Sequence, residues 1–183
     1  PGGGWAATYA GQNETGESTT TTTLYAHAKN NGGDNWQAYF SVLSFPTGDL
    51  LDGETPTDAS VFLYFTDTQN YTNAYKLVRS RQTLPLNTTA KWDENGDTGY
   101  GTGVIYGTGS RVATTGAGWL EFPISALGLS AIANTTGTKT QWSVVDQYLW
   151  TNTQPSGLTA TDGSFNSGDN ASNKPYIEIT WTP

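Results

Sequence analysis

Apolar side chains in this chain recur at every second residue rather than every third or fourth, and that period decides the class of fold. In Ala59-Ser60-Val61-Phe62-Leu63-Tyr64-Phe65, the residues Ala59, Val61, Leu63 and Phe65 fall on one side of an extended backbone. In Tyr176-Ile177-Glu178-Ile179-Thr180-Trp181, the residues Ile177, Ile179 and Trp181 do the same. One apolar face and one wet face is the pattern of antiparallel sheet. Clusters of Gly, Asn, Asp and Pro punctuate the alternation and place strands near residues 18–27, 36–45, 58–66, 74–82, 103–106, 118–124, 141–150 and 175–182. A single short helical turn is expected over 125–132, where Gly128 interrupts it. Long polar connections run over 83–102 and 151–174. The expected fold is all-β, a two-sheet antiparallel β-sandwich of jelly-roll type with about eight strands and at most that one helical turn.

A length of 183 residues suits one such domain with a full core. It is read as residues 18–183, preceded by a Gly-rich segment, 1–17. Seven Trp, ten Tyr and six Phe supply large burial per residue, which offsets an apolar share of only 35%. Charged residues make up 13%, about half the ordinary share, so Thr, Ser, Asn and Gly must cover the surface. The net charge of −8 and the scattered basic residues argue against nucleic acid and against anionic membranes. No apolar run reaches the length of a membrane-spanning helix, so membrane insertion is not expected. The absence of cysteine excludes disulfides, thiolate metal sites and Cys nucleophiles. Pro1 in place of Met reads as a processed product or an excised domain.

Five segments stand out in order: Phe40-Ser41-Val42-Leu43-Ser44-Phe45-Pro46, Asp58-Ala59-Ser60-Val61-Phe62-Leu63-Tyr64, Lys91-Trp92-Asp93-Glu94-Asn95, Gly118-Trp119-Leu120-Glu121-Phe122-Pro123-Ile124 and Asn173-Lys174-Pro175-Tyr176-Ile177-Glu178-Ile179-Thr180. In that order they resemble the DNRLRE family of extracellular β-sandwich domains, related to jelly-roll carbohydrate-binding modules. Together they span residues 24–181. The hexapeptide that names the family is absent, and Pro123 stands where an acidic residue is expected. The resemblance implies a sandwich fold and a non-enzymatic surface role, and it transfers no catalytic residue.

Five Asn-x-Ser/Thr acceptor sites, at Asn13, Asn70, Asn87, Asn134 and Asn170, lie in polar, turn-like sequence and point to a glycosylated, exported, extracellular protein. The lone histidine, His27, has no nucleophile elbow or cysteine to serve, and a structural role is expected for it. Glu121 and Glu178 are the best-placed carboxylate pair, each expected on the wet face of its strand. Their setting does not predict catalysis, and the chain is read as a non-enzyme requiring no cofactor. Asp93, Asn95 and Asp97 present oxygen ligands at alternate positions around Gly96, the spacing of a calcium loop that lacks its closing acidic residue. A solvated turn is the plainer reading of that segment.

Within 141–150, Trp142, Asp146, Tyr148 and Trp150 share one strand parity and would form an aromatic strip for sugar rings if that face is open. Phe62 and Tyr64, opposite the core set of their own strand, would extend it. The alternatives are core packing or burial against a second subunit. Trp5-Ala6-Ala7-Thr8-Tyr9-Ala10 alternates aromatic with small residues, so Trp5 and Tyr9 would make subunit contacts if this segment adds as a strand to another copy. It would otherwise be an edge strand of its own domain. Two functions follow: a structural or adhesive subunit of a surface filament, its partner being copies of itself, or a carbohydrate-binding module, its partner being a polysaccharide.

Overall fold

The computed structural model describes residues 23–30, 36–68, 72–80, 103–113, 115–155 and 163–182. Those residues form eleven strands and three short helices. In chain order the first elements are β1 (Thr23–Tyr25), β2 (His27–Asn30), β3 (Trp36–Tyr39), β4 (Ser41–Phe45), α1 (Thr47–Leu51), β5 (Thr55–Phe65) and β6 (Asn73–Arg79). Then come β7 (Ile105–Arg111), β8 (Gly118–Pro123), α2 (Ala126–Ser130), β9 (Thr140–Asp146), α3 (Gln147–Trp150), β10 (Ser164–Asn166) and β11 (Tyr176–Thr182). All pairings are antiparallel, as the alternation predicts.

One sheet is built on β5, with β8 along one side and β11 along the other. Beyond the end of β11, β10 meets β5 where Phe165 stands opposite Phe65, and β1 lies outside β10. A second sheet has the order β4-β9-β6-β7. The core lies between them. Val61, Leu63, Phe65 and Phe122 from the first sheet face Leu43, Leu77, Trp142 and Val144 from the second, all buried. This is the expected sandwich, with the predicted core set of β5 fully inside. The side where β7 runs beside β8 is closed by a bridge between Gly107 and Ile124.

The second sheet is covered on its outer face as well. Val78 and Val145 point away from the main core and pack under Trp150 of α3. Beside them, the β2–β3 hairpin buries Ala28, Trp36 and Ala38 with Leu149 of α3. The first sheet has no such lid among the described residues. Its outward positions on β5, β8 and β11 are partly or fully exposed.

The elements depart from expectation in four places. The strand expected over 36–45 is two strands in different sheets, because the buried positions switch parity across Phe40. Trp36 and Ala38 face one core; Ser41, Leu43 and Phe45 face another. Ser41 fixes the break by accepting from the Tyr25 N–H (3.0 Å) and donating to the Tyr25 carbonyl (2.8 Å). The strand expected over 141–150 ends at Asp146, which caps α3. The helical turn expected near 125–132 is α2, capped by Ser125, and α1 and α3 add to it. Trp181, expected inside with Ile177 and Ile179, lies beyond a register shift after Thr180 and is exposed.

Candidate carbohydrate-contact face

The strip expected along residues 142–150 is not a surface. Trp142 is buried in the main core. Asp146 is fully buried, accepting from Asn73 Nδ2 (2.7 Å) and from the Tyr148 N–H (2.7 Å). Trp150 is buried on the far side of the second sheet, and Tyr148 is half-buried against the Trp36 cluster. Period two ends where the helix begins, so these four side chains point into three different environments.

Phe62 and Tyr64 do stand on the outer face of the first sheet, and the register surrounds them with aromatic partners. Tyr176 of β11 lies opposite Phe62, and Trp119 of β8 lies opposite Tyr64. Phe62 and Tyr176 stack with ring centres 4.8 Å apart and planes 10° apart. Trp119 meets Tyr64 edge to face at 5.4 Å and 80°, and meets Tyr176 at 5.1 Å and 72°. The two rings from β5 are half-buried beneath their neighbours, while Trp119 is 44% and Tyr176 39% exposed. Four rings thus form one continuous outer patch. Trp119 and Tyr176 escaped the sequence reading, although the signal was present. Each alternates with core residues of its own strand, Leu120 and Phe122 or Ile177 and Ile179.

Carboxylates frame the patch. Glu121 lies opposite Phe62 and Glu178 opposite Ser60, so both are on the same face, as their alternation predicts, and both are exposed. Ser60 Oγ donates to Glu121 Oε1 at 2.7 Å, which orients that carboxylate. The two acids sit on strands either side of β5, about 10 Å apart at the backbone and offset along the strands. Among the described residues, no wall rises beside them to exclude water.

His27 lies in a different place, packed between Tyr25 (5.3 Å) and Tyr39 (4.7 Å). Burial pushes its pKa down to about 4, against a raising influence of Asp67 and with a smaller lowering one from Lys29. Nearby, the buried Arg111 donates to Asp67 Oδ1 (2.7 Å) and to the carbonyls of Asp67 (2.8 Å), Thr115 (3.3 Å) and Gly116 (3.0 Å). Its guanidinium also sits 4.6 Å from the Phe65 ring centre. Every partner of this cation is a strand end or turn of its own fold, the setting of a structural tie. A shallow pocket of about 370 Å³ between the start of β5 and α2 is lined by Thr55, Pro56, Leu129, Ser130, Ile132 and Asn134, which offer nothing titratable.

Of the glycan acceptors, Asn134 donates Nδ2 to the Glu54 carbonyl (3.1 Å). Asn170 donates Nδ2 to Asn166 Oδ1 (3.1 Å) and accepts from the Ser172 N–H (2.9 Å). Both amides are occupied by the fold. Asn13, Asn70 and Asn87 lie outside the described residues, as do Trp5, Tyr9 and the calcium-loop candidates Asp93, Asn95 and Asp97. Among the described residues no three His, Asp or Glu side chains converge as metal ligands. Among them, too, no helix is long and apolar enough to cross a membrane. No family model matches the chain, and no curated protein does.

Proposed function

We propose that this chain is a non-catalytic extracellular β-sandwich that adheres to carbohydrate through the outer face of its first sheet. The observation behind this reading is the exposed ring pair, Trp119 and Tyr176, supported from below by Phe62 and Tyr64. Aromatic faces offer the C–H bonds of a sugar an apolar partner, while neighbouring carboxylates accept from its hydroxyls. The likeness to DNRLRE-type domains belongs to the same proposal: its segments include β4, β5, β8 and β11, the last three of which build this face. Surface exposure of two adjoining rings on a four-ring cluster is costly in water unless something covers them, which favours a binding role over a bare scaffold. A pull-down on a panel of polysaccharides tests it. Trp119→Ala is expected to weaken retention by about tenfold and Trp181→Ala, off the patch, to leave it intact. Equal retention of both variants would remove the proposal.

A second reading, a subunit of a surface filament, is favoured by β11. Among the described residues this strand pairs only with β5, its other edge has no partner strand among them, and Ile177 and Ile179 are half-buried. An added strand from another copy would finish that core. Light scattering and negative-stain images over a range of protein concentrations test this. A monomer at every concentration counts against it.

A further inference from the structure

We infer that the outer patch is built for a single, soluble strand of neutral polysaccharide, held in the right-angled corner between Trp119 and Tyr176. This rests on the carbohydrate reading above and narrows it to a ligand class. The first argument is geometric. Two rings whose planes differ by 72°, with centres 5.1 Å apart, cannot both lie flat against one planar surface. A crystalline polysaccharide face would meet one ring and the edge of the other. A free chain can turn, so that a sugar rests on one ring face while its neighbour rests on the other.

The second argument is charge. The outward positions of β5, β8 and β11 carry Glu121, Glu178, Ser60 and Thr180 around the rings, and no Lys or Arg; Lys174, exposed just before β11, sets one cation against the two acids. Carboxylates only accept hydrogen bonds, so the complementary ligand is one rich in hydroxyl donors. A uronate or sulfate on the ligand would meet like charge at short range. Glu121 is already oriented by Ser60 Oγ, leaving its second oxygen to the ligand.

The test is affinity electrophoresis of the whole chain in gels containing hydroxyethylcellulose or polygalacturonate, beside depletion assays on microcrystalline cellulose and light scattering of the free protein. Retardation by the neutral polymer alone is expected. Trp119→Ala and Tyr176→Ala should each weaken it by about tenfold, the loss of one well-placed aromatic anchor. A Glu121→Gln, Glu178→Gln double variant should admit polygalacturonate. All the substituted side chains are at the surface, and thermal unfolding identifies any variant that fails to fold. Stronger depletion on microcrystalline cellulose, or retardation by polygalacturonate in the unaltered protein, overturns this inference and leaves the carbohydrate reading standing. No binding to any of the three overturns both. Self-association abolished by Trp119→Ala would assign the rings to a second copy of the chain and overturn both as well.

Discussion

Ser143 illustrates how little a single buried atom need contribute. Its Oγ is enclosed in the second sheet with no hydrogen-bond partner. A buried hydroxyl without a partner has lost water and gained nothing, so Ser143→Ala is expected to raise stability by about 1 kcal/mol in urea unfolding. Arg111 is the opposite case. Its guanidinium satisfies Asp67 and three carbonyls at the junction of β5, β7 and β10, and Arg111→Met leaves those acceptors facing an apolar chain. A loss of about 3 kcal/mol is expected, and Arg111→Lys should recover little, because an ammonium cannot fill a planar fork. His27 links stability to pH. Its folded-state pKa, about 4, lies below the ordinary 6.5, so the neutral ring is the form the fold accepts. Stability is therefore complete above pH 6.5 and falls as pH drops toward 4, by on the order of 3 kcal/mol. Replacing the ring by Gln should flatten the urea midpoint across that window, and an unchanged slope would separate His27 from the acid response.

Among the elements, α3 depends on one side chain. Asp146 ends β9, caps the helix through the Tyr148 N–H and holds Asn73 in the core. Asp146→Ala removes the cap and strands a buried amide, for an expected loss of about 3 kcal/mol, and Asp146→Asn should restore part of it. Circular dichroism during thermal unfolding reads both. The strand set was legible where alternation is uninterrupted, as in β5, β8 and β11. It was misread where period two gives way within a few residues, at Phe40 and at Asp146. The parity switch from Trp36 and Ala38 to Leu43 and Phe45 was visible in the letters, as was an Asp followed by helix formers. β10 was not legible, because Ser-Phe-Asn offers one apolar residue and owes its pairing to Phe65 and Asp67 far away in the chain.

At the scale of the whole molecule, one close approach fixes how two distant parts meet. Ala26 donates its N–H to the Gly163 carbonyl at 2.8 Å, and any side chain at position 163 would strike the Ala26 carbonyl. Gly163→Ala is therefore expected to cost more than the gain in chain stiffness would return, and a lowered melting temperature checks it. The candidate face was half legible. Phe62 and Tyr64 followed from parity within one strand, but their alignment with Tyr176 and Trp119 needs the register of three strands, which no local pattern encodes. The strip over 142–150 failed for the converse reason: the second sheet is sheathed on both sides, so its aromatics had nowhere wet to go. That asymmetry between the sheets has an evolutionary corollary. Changes on the sheathed sheet must be matched by compensating changes in two cores at once, whereas among the described residues no second layer covers residues 60, 62, 119, 121, 176 and 178. New specificities in descendants of this chain should accumulate on that unsheathed surface, while the opposite flank stays nearly frozen.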